Sequence, residues 1–323
     1  MIRKILISLA LILTTVTGAA AVSAVDAFDG SSMADKVPYL TLNNGVKMPQ
    51  FGLGTFLLND NDGEAYNAVL TAIKSGYRHI DTAHAYGNER SVGRAIKDSG
   101  IPREKIWITS KLWPNEYGEG KTSEAIDRML NRMGLDYIDL VYIHQPVGDV
   151  TGAWKDLEKA QKAGKIRAIG ISNFDKDEEL FDTFIKTVDV KPQTMQLECH
   201  PYAQRVYWQK KLKKNNIQQE NWYPLGGRQS NGLILRDPVI NKIAKAHNKS
   251  AAQVIIRWHI QKGFSVIPGT SNPDYIKENI DVFDFSLNKK EMKQIEKLNT
   301  EKRIFDVPFE QQKDAYQKTI LID

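Results

Sequence analysis

A single cysteine, Cys199, stands in 323 residues. An internal disulfide is excluded, so cysteine usage gives no argument for an oxidising compartment, and Cys199 reads as a small buried hydrophobe. Basic clusters are also missing: the net charge is only +5, and Lys and Arg are interspersed with Asp and Glu along the chain. No nucleic-acid patch is expected from that pattern. Low-complexity runs, internal repeats and a visible domain boundary are likewise absent, as is any grouping of residues that suggests a metal site. With 41% hydrophobic and 26% charged residues, the composition is that of a globular protein.

One long apolar run is present, at the N-terminus. Arg3 and Lys4 precede ILISLALILTTV, and small residues follow at Ala19-Ala20-Ala21 and Val22-Ser23-Ala24. This is the pattern of a secretory leader over residues 1–30, which points to a periplasmic or secreted protein. Cleavage at either of those small-residue sites would take Arg3 and Lys4 away and lower the charge from +5 to +3. Neither a twin arginine nor a lipoprotein cysteine accompanies it. An uncleaved anchor over 5–25 and a cytoplasmic start at Met33 are the alternatives. No stable membrane association is expected once the leader is removed.

From Pro38 the chain alternates strands and helices. YLTLNNGVKMP, with Asn43-Asn44-Gly45 at its centre, predicts a small β-hairpin. Eight strand segments follow: FGLGTF, YRHID, KIWITSKL, YIDLVYI, IRAIGIS, TMQLECH, IQQENWYPL and SVIP. Helical periods separate them, for example Ala65, Val69, Ala72 and Ile73, or Ile126, Met129, Leu130 and Met133. The class is therefore α/β, a parallel (β/α)8 barrel over residues 37–323, with the tail from Lys302 read as irregular and covering the barrel mouth. No long apolar surface patch is apparent, which favours a monomer.

Sites in such barrels gather where the strands end. Asp81, Lys111, His144 and Asn173 all fall there, and Tyr86 follows Asp81 by five residues. Taken singly, Asp81 could cap a helix, Lys111 could be a solvated loop lysine and His144 a core histidine. Four on neighbouring strands at one mouth are hard to assign to accident. Together they suit protonation of a carbonyl oxygen: Tyr86 as general acid, Lys111 lowering its pKa, Asp81 holding Lys111, and a neutral His144 orienting the substrate oxygen. None of these residues supplies electrons, so a hydride carrier is required.

GYRHIDTAHAYGNE, ITSKLW, DYIDLVYIHQP, GKIRAIGISNF and QLECHPY, in that order and spacing, resemble the aldo-keto reductase family from about Val37 to the C-terminus. The resemblance implies reduction of aldehydes or ketones with NADP(H), with NAD(H) as the other candidate, and a tetrad at Asp81, Tyr86, Lys111 and His144. It places the nicotinamide carboxamide on Ser172, Asn173 and Gln196, and ring stacking on Trp222. Gly54, Thr55, Leu225, Thr270 and Ser271 are further cofactor positions, and Glu278 and Asn279 match an adenine-contacting pair. Two departures stand out. Gly269 and Tyr275 replace the lysine and arginine that usually face the 2′-phosphate, with Arg228 as a substitute cation. In the substrate pocket Trp113 is kept, but Phe56 and Gln145 stand where tryptophans are common, which points to small polar carbonyl substrates. A cofactor-binding regulatory subunit with little turnover, or a secreted binding protein without cofactor, are the readings from other classes. The second arises because an exported chain meets little nicotinamide nucleotide.

Overall fold

The computed structural model describes residues 30–61 and 63–322; the leader pattern lies outside them. The first described element is a short helix, α1 (Gly30–Lys36), that the sequence reading did not include in the fold. It packs where bare backbone is needed: a Cβ on Gly30 would lie 1.8 Å from the Lys74 carbonyl oxygen. Met33 is buried on the same face.

The expected hairpin is β1 (Tyr39–Thr41) with β2 (Lys47–Pro49), antiparallel and in register Leu40 to Met48. Gly45 supplies the left-handed turn conformation at φ 82°. Leu42 and Met48 bury against Trp107, Leu140, Tyr142 and Ala168, so the hairpin plugs the bottom of the barrel.

Eight parallel strands follow, alternating with helices: β3 (Leu53–Gly54), α2 (Glu64–Lys74), β4 (His79–Asp81), α3 (Glu89–Asp98), β5 (Trp107–Leu112), α4 (Lys121–Met133), β6 (Ile138–Ile143), α5 (Val150–Lys162), β7 (Ile166–Ser172), α6 (Glu178–Thr187), β8 (Thr194–Glu198), α7 (Val206–Lys214) and β9 (Gln218–Trp222). Two successive helices, α8 (Pro238–Ala246) and α9 (Ala251–Gln261), then lead to β10 (Ser265–Val266) and α10 (Pro273–Ile280). Strands β3 to β10 pair in chain order. Phe51 bridges Val266 in parallel and Gly54 N–H donates to the Pro268 carbonyl at 3.1 Å, which closes the cylinder. Ala65, Val69, Ala72 and Ile73 are all buried on α2, as their spacing predicts. Gly134 ends α4 in the left-handed conformation at φ 65°.

Two further helices were not anticipated, α11 (Lys289–Glu296) and α12 (Phe309–Lys318). Helix α12 lies in the tail read as irregular. It has little apolar periodicity of its own; it is held across the mouth by Trp113 Nε1–H, which donates to the Thr319 carbonyl at 3.2 Å, and by Tyr316 edge-on to Trp113.

Candidate active site

Register sets the site. Asp81 ends β4 beside Gly54 on one side and Thr109 on the other, and Lys111 lies beside Tyr142 near the end of β5. Both Asp81 and Lys111 are buried in the barrel interior. Isolated charges are costly there, and each is compensated. The Lys111 ammonium donates to Asp81 Oδ1 at 2.5 Å, to the Thr82 carbonyl at 2.9 Å and to Tyr86 Oη at 3.2 Å, which accounts for its three protons. Asp81 Oδ2 accepts from Gln196 Nε2 at 2.8 Å.

Tyr86 ends a 3-10 turn, His84–Tyr86, that Gly87 closes at φ 68°. Its ring stands edge-on to His144 at 5.7 Å, and His144 stands edge-on to Trp113 at 5.2 Å. The His144 ring makes no hydrogen bond to the described residues, and its Nδ1 is buried without a partner. Burial, reinforced by the Lys111 and Lys176 charges, holds the His144 pKa well below 6.5. His144 is therefore neutral at physiological pH, as its expected role requires.

Tyr86 departs from expectation. Burial pushes its hydroxyl above the ordinary value of 10, and the opposing Lys111 ammonium does not reverse this because Asp81 offsets part of its field. Burial alone works against the Lys111 charge, yet Asp81 and Tyr86 raise its pKa above 10.5. Tyr86 thus keeps its proton at neutral pH, beside a permanent cation.

A cavity of about 710 Å³ opens above this group. Its wall takes in Gly54, Phe56, Trp113, Gln145, Ser172, Asn173, Gln196, Trp222, Leu225, Thr270 and Ser271, so these expected residues converge on one space. Thr55, Glu278 and Asn279 are not on that wall. Thr55 is buried beside Asn88, Asn279 is buried in α10, and Glu278 immediately precedes it on the same helix.

The wall suits a nicotinamide ring with its amide. Asn173 donates to the His144 carbonyl and to Ser172 Oγ, each at 3.0 Å, while its own Oδ1 is buried and unpartnered, an acceptor for an incoming N–H. Gln196 spends its amide N–H groups on Asp81 and Glu220, each at 2.8 Å, so only its oxygen can serve a ligand. Trp222 is half-buried and lines the cavity, leaving a ring face to stack on. At the far end Arg228, Thr270, Ser271, Asn272 and Tyr275 share the wall. Position 269 leaves little room for a side chain: a Cβ there would lie 2.9 Å from the Gly54 carbonyl oxygen.

Three contributors were missed in the sequence. Glu220, wholly buried mid-strand in β9, accepts from Tyr142 Oη at 3.0 Å, Gln196 Nε2 at 2.8 Å and Ser265 Oγ at 2.8 Å. A lone acid inside a strand was its available signal. Asn88 ties two site loops together, donating to the Thr55 and Leu58 carbonyls and accepting from Thr82. Lys176 reaches the cavity from the turn after β7, and nothing in its local sequence marks it.

A parallel eight-stranded barrel with a buried lysine–aspartate pair beneath a tyrosine at its C-terminal mouth defines a class of carbonyl-reducing enzymes. The family described as "Aldo/keto reductase family" matches residues 50–300, and the chain belongs to it. It is similar to the 9,11-endoperoxide prostaglandin H2 reductase of Trypanosoma cruzi, 46% identical over 82% of this chain and 93% of that protein. It is also similar to the glyoxal reductase of Bacillus subtilis, 44% identical over 83% of this chain and 95% of that one. Among solved structures, a Bombyx mori aldo-keto reductase in complex with NADP superposes with a TM-score of 0.78 at 30% identity, covering 84% of this chain and 95% of that one. The chain is accordingly an oxidoreductase of the NAD(P)H-dependent carbonyl reductase type.

Proposed function

We propose that this protein binds NADP(H) and reduces the carbonyl group of small polar aldehydes or ketones, with Tyr86 as the acid. The observation that carries this reading is the Lys111 ammonium, 2.5 Å from Asp81 and 3.2 Å from the Tyr86 hydroxyl, beside a neutral His144 at the floor of the cavity. The reduced nicotinamide, when bound, supplies a hydride that no side chain can. Tyr86 gives its proton to the carbonyl oxygen as charge develops there, and the phenolate left behind is stabilised by Lys111. His144 hydrogen-bonds the same oxygen and fixes its position. Trp113 and the half-exposed Phe56 wall the substrate, and Gln145 contributes a polar edge. That polar edge, together with the similarity to a glyoxal reductase, supports dicarbonyl or hydroxylated substrates.

For the cofactor's carboxamide, Asn173 Oδ1, Ser172 and the Gln196 oxygen are the holders we infer, with Trp222 beneath the ring. NADP(H) is supported by the NADP-bound Bombyx mori relative. Use of NAD(H) as well is favoured by one local feature: the Glu64 carboxylate is held down in pKa by a hydrogen bond with Ser271 and lies near Arg228. A carboxylate there weakens attraction for a 2′-phosphate and suits a ribose hydroxyl. The test is oxidation of NADPH and of NADH with methylglyoxal by the protein and by Tyr86→Phe, with cofactor affinity by fluorescence titration. Tyr86→Phe should lose on the order of 10²–10⁴ in kcat while binding cofactor as before. A variant that turns over at the parent rate would remove Tyr86 from the acid role; cofactor binding with negligible parent turnover would favour the regulatory-subunit reading.

A further inference from the structure

Lys176 is the cation at the mouth of the cavity that nothing in the tetrad accounts for. It sits in the 3-10 turn Phe174–Lys176, half-buried, and lines the same wall as Tyr86, His144 and Trp113. Among the described residues its ammonium touches two neutral amide oxygens: Gln145 Oε1 at 3.5 Å and Gln312 Oε1 of α12. The Phe305 and Tyr316 rings lie 5.8 and 5.4 Å from it. The two carboxylates whose charge reaches it, Asp175 and Glu198, make their close contacts with other groups, and Asp175 Oδ1 makes no hydrogen bond to the described residues. Asp175 binds Arg205 at 2.5 Å and lies 3.6 Å from Arg303; Glu198 binds Arg303 at 2.9 Å, His200 at 3.2 Å and the Ile304 and Phe305 N–H groups. A partly desolvated ammonium with only neutral acceptors is under-compensated, and an anion entering the cavity would exchange those contacts for a charge-assisted pair. The position is suited to substrate, because the Lys176 charge is felt at His144, which lies beside Gln145 in sequence.

We propose that Lys176, with the Gln145 and Gln312 amides, is an anion subsite, and that the substrates are small carbonyl compounds carrying a carboxylate remote from the reacting carbon. This rests on the reductase reading above. Burial, with Arg303, brings the Lys176 pKa down to about 8 against the opposing Asp175 and Glu198 charges. The subsite is therefore charged at neutral pH and loses its charge as pH rises through that value.

The experiment compares kcat/KM for succinic semialdehyde with that for its methyl ester, and for 4-carboxybenzaldehyde with its methyl ester, at fixed cofactor. The ratio of acid to ester is the readout. It should be on the order of tenfold or more, fall towards unity in Lys176→Gln, persist in Lys176→Arg, and decline in the parent protein as pH rises through about 8. In parallel, calorimetry follows 4-(hydroxymethyl)benzoate binding to the NADP⁺-loaded protein, which should weaken by a similar factor in Lys176→Gln. Esters reduced as well as acids would overturn the subsite and leave the reductase standing. No reduction of either, with benzoate binding that depends on Lys176, would keep the subsite and remove the reductase reading. No reduction and no dependence on Lys176 would remove both.

Discussion

At the scale of single residues, the site is a chain of buried charges rather than four independent groups. Glu220 extends the tetrad downward, through Gln196 to Asp81 and across the barrel to Tyr142 and Ser265. Burial raises the Asp81 pKa, and the Glu220 charge raises it further against the pull of Lys111. Removing that charge should let Asp81 stay ionised to lower pH. Glu220→Gln is therefore expected to move the acid limb of the kcat/KM profile to lower pH. It should also destabilise the fold by about 1–3 kcal/mol, because an amide N–H₂ meets donors where an oxygen accepted before. An acid limb that stays in place or moves upward would count against this coupling. Glu220 acts here as a positioning residue, since it has no place on the cavity wall.

Elements divide into those fixed by the barrel and those laid over it. Helix α3 packs so closely on the end of α4 that a Cβ at Gly93 would lie 2.0 Å from the Met133 carbonyl oxygen. Helix α12 and the residues after it are different: they meet the barrel through a few groups, among them Trp113, Asn115, which donates to the Leu321 carbonyl at 3.0 Å, and Lys176. Such a segment opens at low free-energy cost. Truncation after Pro308 should leave Tm within a few degrees of the parent while raising KM for carbonyl substrates several-fold, since one wall of the pocket is lost. A large fall in Tm would show instead that α12 is part of the folding unit.

For the molecule as a whole, acid sensitivity is expected to begin at the tail. Burial alone would raise the Glu198 pKa, but the His200 hydrogen bond and the Arg303 guanidinium bring it from the ordinary 4.5 down to about 2. Its folded-state pKa is depressed, so its stabilising contribution is complete above about 4.5 and is lost as pH falls towards 2. Glu198 holds Arg303 and the Ile304 and Phe305 N–H groups, so the segment after Lys302 should loosen in that window. Proteolysis between pH 5 and 2.5 should release the tail before the barrel; simultaneous loss of both would contradict this.

The sequence by itself determined the barrel, the alternation of strands and helices from β3 to α10, and the face at which Asp81, Tyr86, Lys111 and His144 meet. It could do so because apolar periodicity and strand-end polar residues are local signals. Tertiary structure alone decided the rest. Tyr86 lies above rather than below its ordinary pKa because enclosure outweighs one neighbouring cation. Gln196 spends its N–H groups on two carboxylates that are remote from it in the chain. Lys176 belongs to the pocket because a turn after β7 and a helix from the far C-terminus meet over it. Burial and long-range pairing are properties of the closed cylinder, and no stretch of the chain contains them.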